Sequence, residues 1–99
     1  MKTMKPSAPF RFRLYITGDA PNSVQALANL QALCQEHLPD RHEIEIVDVL
    51  HAPKRALADG ILLTPMLVKL FPVPGCQILG TLSRTQTVLQ ALGLSGPTK

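Results

Sequence analysis

A chain of 99 residues that is 45% apolar and 17% charged is long enough to form one domain with its own core, and too apolar to stay disordered. A formal charge of +3 is mild and makes a weak case for a nucleic-acid-binding face. The longest apolar stretch, GILLTPMLVKLFPVPG, is cut by Pro65, Lys69, Pro72 and Pro74. It falls short of the ~20 residues that span a bilayer, so a soluble, cytoplasmic protein with no membrane partner is expected.

MKTMKPSAPF begins with basic residues but has no apolar stretch of the signal-peptide kind. Residues 1–9 are predicted to be a flexible tail and 95–99 another, leaving 10–94 as the domain. FRFRLYI (10–16) alternates apolar and basic residues before becoming wholly apolar, the pattern of a strand that enters a sheet centre from an exposed end. Gly18 to Pro21 is turn chemistry. Asn22 or Ser23 is then placed to cap a helix running to about His37. Val24, Leu27, Leu30, Cys34 and Leu38 share one helical stripe, predicted to face the core. Gln25, Asn29, Gln35 and Glu36 face elsewhere.

HEIEIVDVL is a second strand, with Ile44, Ile46 and Asp48 on one face and Glu43, Glu45, Val47 and Val49 on the other. Pro53 starts a short helix closed by Gly60. Asp48 is expected to cap the turn into that helix. Ile61–Val68 reads as a third strand, interrupted by Thr64-Pro65, and CQILG as a fourth, close enough to be its antiparallel hairpin partner. SRTQTVLQALG reads as a last helix, with Ser83 as cap, Val88, Leu89 and Leu92 inward, and Gly93 as stop. The order is β-α-β-α-β-β-α, and two βαβ crossovers are expected to place parallel strands side by side.

The reactive residues form no recognisable set. Cys34 and Cys76 have neither metal nor redox spacing. His37, His42 and His51 lack ligand spacing, and Asp48 has no second acid or nucleophile beside it in sequence. No metal, cofactor or catalytic residue is predicted.

The element order, with LLTPMLVKLFPVPGCQILGTLS at its centre, resembles the thioredoxin-like fold over residues 10–94. The resemblance implies a cis bond at Thr64–Pro65. In oxidoreductases of this fold the first β-α junction carries Cys-x-x-Cys, activated by the helix N-terminus. Here it reads Gly18-Asp-Ala-Pro-Asn-Ser23, and dithiol exchange through it is excluded.

LYITGDAPNSVQAL, IVDVLHAPKRALADGILLTPMLVKLFP and ILGTLS together resemble the KaiB family of bacterial circadian-clock proteins, over about residues 12–94. The resemblance implies a non-enzymatic adaptor that binds a KaiC-like RecA-type ATPase or a related histidine kinase. It also implies two alternative folds: a tetramer-forming one and a thioredoxin-like one competent to bind. Family members often carry Gly and Asp where this chain has Ala91 and Gly93. Ala favours a helix interior over Gly by about 1 kcal/mol, so the thioredoxin-like state is expected, as a monomer or weak oligomer. Glu43 and Glu45 stand where clock proteins typically carry a small residue and Lys, and Thr81 replaces a frequent Asp. Acidic residues there are expected to repel the usual partner, pointing to a divergent ATPase or a kinase in stress or redox signalling. Gln25, Asn29, Ile44, Glu45 and Asp48 are the expected docking residues; Gly18, Thr64, Pro65 and Ala91 are the structural ones. The alternative from the enzyme class is a thioredoxin-like redox protein using Cys76 or Cys34, and a third reading is a freestanding module that binds a kinase.

Overall fold

The computed structural model describes residues 9–94, so the two predicted tails, apart from Pro9, lie outside the described residues. Seven elements follow the expected order: β1 (Phe10–Ile16), α1 (Pro21–His37), β2 (His42–Asp48), α2 (Pro53–Ala58), β3 (Met66–Phe71), β4 (Cys76–Leu79) and α3 (Thr85–Leu92). The four strands form one sheet in the order β2-β1-β3-β4.

The alternation in β1 has a specific cause. Phe12 and Leu14 are buried on one side of the sheet with Leu30, Leu67 and Leu92, beneath α1 and α3. Tyr15 is buried on the other, with Val47, Ala56 and Ile61, beneath α2. Arg11 and Arg13 share the Tyr15 side because side chains alternate across a strand. The parallel register sets Arg11 opposite Glu43 and Arg13 opposite Glu45, and the side chains meet at 3.2 and 2.8 Å. The basic residues of β1 therefore mark cross-strand ion pairing.

α1 starts earlier than a cap at Asn22 or Ser23 implies. Ala20 is its N-cap, without a side-chain bond, and Pro21 opens it, a position where a missing N–H goes unfelt. Ser23 is buried inside the first turn and does not cap. The inward stripe is Ser23, Ala26, Leu30, Leu33 and Cys34, continued by Leu38. Val24 is turned outward and is 53% exposed, contrary to its expected core position.

The second crossover also departs from expectation: β3 pairs with β1 antiparallel, while β2 pairs with β1 parallel. The reason is length. The six residues of α2 climb roughly 9 Å, whereas the seven-residue β2 spans about 23 Å. The chain cannot return to the starting end of the sheet, so it turns and comes back down beside β1. Ile61 is buried against Tyr15, Val47 and Ala56 but is not in a strand. β3 begins only at Met66, after Pro65, whose missing N–H could not serve a ladder.

Thr64–Pro65 is cis, as the resemblance implies, and so are Phe71–Pro72 and Val73–Pro74 in the β3–β4 turn. Gly75 is required in that turn, since a Cβ there would lie 2.7 Å from the Lys69 carbonyl oxygen. The closing segment is a helix. Ser83 accepts a hydroxyl bond from Thr81 instead of capping, and Arg84 occupies the cap position. Val88, Leu89 and Leu92 point inward as expected, Ala91 is exposed, and Gly93 ends the helix in the left-handed conformation. The chain thus adopts the thioredoxin-like arrangement, and its last segment does not pair as a strand.

Candidate functional site

Three loops converge where β1 ends. The Thr17 N–H donates to Ser23 Oγ at 3.0 Å, fastening the loop to the first turn of α1. The Thr17 and Thr64 hydroxyls share a 2.5 Å hydrogen bond, which joins that loop to the residue before Pro65. Gly18 has φ 49°, a backbone conformation in which glycine is favoured, and its N–H donates to Asp48 Oδ1 at 3.1 Å. The Leu50 N–H donates to the same oxygen at 2.9 Å.

Asp48 is thus a clasp between the β1–α1 and β2–α2 loops. As expected, it caps the turn leading into α2 through the Leu50 N–H, while the N-cap residue of the helix itself is Ala52 with no side-chain bond. The N–H groups of Leu50 and Gly18 hold its carboxyl below the usual carboxylate range, because they favour the charged form. The ring of the exposed His51 lies 3.9 Å from the second carboxylate oxygen, beyond hydrogen-bonding distance.

This junction has the outline of a dithiol site without sulfur. Its hydroxyls are spent on one another and on the backbone. Cys34 lies on the buried stripe of α1, where burial pushes its thiol up to about 11, so it is no nucleophile near neutral pH. Cys76 lies on β4, where its Sγ donates to the Ala91 carbonyl at 3.4 Å. Neither cysteine belongs to the junction.

Around it stands an apolar rim that sequence reasoning missed. Leu50, Leu62 and Leu63 are 64%, 82% and 61% exposed, and Val24, next to Ser23 on α1, is exposed as well. Leu50 reaches back over the turn, where its Cδ1 would lie 3.2 Å from a Cβ at Gly18. Ile61–Val68 reads as a strand and Val24 as part of the core stripe, whereas β3 begins at Met66 and Val24 is exposed. The available signal was Pro65, which bars the residues before it from a regular ladder.

The five expected docking residues are distributed over two faces. Gln25 is exposed on α1. Asn29 is half-buried, its Nδ2 donating to the Thr81 carbonyl at 2.8 Å, which ties α1 to the segment before α3. Ile44 packs half-buried against the core beneath α1 and α3. Glu45, one residue on, faces the α2 side and is bracketed by Arg13 and Arg55, both at 2.8 Å. Those bonds hold its carboxyl below the ordinary range. Its charge is compensated within the domain, a circumstance that the strand's own sequence does not reveal. The β2 edge is the line along which the two faces meet.

Among the described residues, no helix is long and apolar enough to cross a membrane. The solution structure of the N-terminal domain of SasA from Synechococcus elongatus superposes with a TM-score of 0.72 at 16% identity, covering 100% of this chain and 97% of that one. Mitochondrial thioredoxin 3 from Saccharomyces cerevisiae gives a TM-score of 0.68 at 15% identity, over 88% of this chain and 80% of the other. These likenesses establish a thioredoxin-like fold. "Circadian clock protein KaiB3" of Synechocystis sp. is 46% identical over 82 residues, which are 83% of this chain and 80% of that protein. "Circadian clock oscillator protein KaiB" of Synechococcus elongatus is 37% identical over 91 residues, 92% of this chain and 89% of the relative. The KaiB domain model matches residues 13–94, and with that extent and identity the chain belongs to the KaiB family.

Proposed function

We propose that the protein is a non-enzymatic cytoplasmic adaptor of a clock or clock-derived signalling system, docking onto a KaiC-like RecA-type ATPase or a related histidine kinase. The observation that carries this reading is the junction itself. It keeps the geometry of a thioredoxin-like site, fills it with mutually bonded hydroxyls, and surrounds it with exposed leucines. Exposed apolar side chains on loops held together by hydrogen bonds suit recognition of a protein surface. Gln25, Glu45 and the β2 edge extend that surface, while Asn29, Ile44 and Asp48 contribute by holding its elements in place. A role in stress or redox signalling rests on the family resemblance alone, since Arg11, Arg13 and Arg55 compensate the acidic residues of β2. In that role the chain senses the state of its partner and carries no redox chemistry of its own.

The test is capture of a nucleotide-dependent RecA-type ATPase or a histidine kinase from the source organism at near-physiological concentration. Leu62→Glu with Leu63→Glu should reduce capture at least tenfold while leaving the far-ultraviolet circular dichroism unchanged. Failure to retain a partner of either class, or equal capture by the variant, would overturn the reading.

A further inference from the structure

Among the described residues, Lys69 is the charged side chain that the fold buries, at 7% exposure. It lies on β3 two residues after Leu67, on the side of the sheet covered by α1 and α3. Its ammonium donates to the Leu92 carbonyl at 3.1 Å. Across the hairpin, Lys69 is paired with Cys76, whose Sγ donates to the Ala91 carbonyl.

The last four carbonyls of any α-helix have no partner inside the helix, and in α3 every one can be traced. Leu89 receives the Leu94 N–H at 2.8 Å, and Gln90 receives the Gly93 N–H at 3.1 Å. Those two bonds are local, made by the chain just past the helix. Among the described residues, Ala91 and Leu92 are served by Cys76 and Lys69, from the β3–β4 hairpin. Half of the helix end is therefore completed by another element, and the stronger donor is a cation at the negative pole of the helix.

We propose that Lys69 and Cys76 form a latch that fastens α3 to the β3–β4 hairpin, and that α3 releases as a unit before the rest of the domain opens. Eight residues are too few to persist as an isolated helix in water, so α3 exists through its docking. Undocking gives the Lys69 ammonium back to water, where it is solvated. Docking without the ammonium forfeits the bond to the Leu92 carbonyl. The latch thereby sets the population in which the apolar face beneath α3, including Phe12, Leu14 and Leu67, is accessible. Release of this kind is a local opening whose free energy lies below that of global unfolding.

Native-state hydrogen exchange tests this on the intact chain. Lys69→Met keeps most of the side-chain volume and removes the cation. It should speed exchange of the amides of 88–92 by roughly 10- to 100-fold, the equivalent of one charge-assisted hydrogen bond. Amides of 30–34 in α1 should change by less than about threefold on the same argument. Lys69→Arg should restore protection, and Cys76→Ala should give a smaller acceleration confined to α3. Equal acceleration in α1 and α3, or undiminished protection of α3 in Lys69→Met, overturns the proposal. Should Lys69→Met fail to fold, the wild-type protein decides. With an acyl N-hydroxysuccinimide ester, Lys69 should be acylated no faster than the α3 amides exchange. Acylation of Lys69 while α3 stays protected overturns the latch.

Discussion

One carboxylate oxygen of Asp48 receives backbone N–H groups from two loops, and the pH dependence of stability follows from that. Its pKa is depressed in the folded state, so the group favours folding at any pH above the ordinary Asp value of about 4. That contribution is lost as pH falls through the depressed folded value. Glu45, held down by Arg13 and Arg55, acts in the same direction, though its exposure to solvent weakens the effect. In Asp48→Asn the acceptor oxygen remains while the charge is gone, so the variant should be less stable than the parent at pH 7, and the gap should shrink as the pH falls below the ordinary Asp value. Urea midpoints measured from pH 7 to pH 2 check this; a constant gap across the range would refute it.

At the scale of elements, α3 carries the sharpest expectation. Ala91 is exposed within the helix, so Ala91→Gly removes no buried contact and acts through backbone propensity alone. It should weaken α3 by about 1 kcal/mol, seen as a several-fold faster exchange of the amides of 88–92 and as chemical shifts moved toward coil values there. All seven elements, the hairpin and the inward residues of α3 were legible from periodicity and turn residues, which are local signals. What escaped was non-local. Val24 lies at the margin of its stripe, and only the packing of α1 on the sheet shows that the buried side is the one holding Ser23, Ala26 and Leu33. Whether the second crossover is parallel depends on the reach of a six-residue helix. The compensation of Glu45 depends on Arg13, 32 positions away, which becomes its neighbour only once β1 and β2 are in register.

For the molecule as a whole, β1 is the shared wall. It lies inside the sheet and sends side chains into both apolar clusters. A domain whose two half-cores lean on one strand should lose both together. The sequence supplies a probe for one side: Tyr15 is its single tyrosine and there is no tryptophan. That tyrosine is buried on the α2 side with its hydroxyl donated to Asp59. Tyrosine fluorescence therefore reports the α2 side, while the helical circular dichroism is dominated by α1, of 17 residues, on the other. Urea curves from the two probes should coincide; separated midpoints would mean that the half-cores open independently. The candidate site was only partly legible at this scale. The missing thiols were visible in Gly18–Ser23, but the leucine rim comes together only when loops from distant parts of the chain meet.

The doubly engaged oxygen of Asp48 has one more outcome. It yokes the loop bearing Gly18 to the loop bearing Leu50, so the start of α1 and the leucine rim are held in one fixed relation, and Asn29 extends the same tie from α1 to the strand-to-helix link at Thr81.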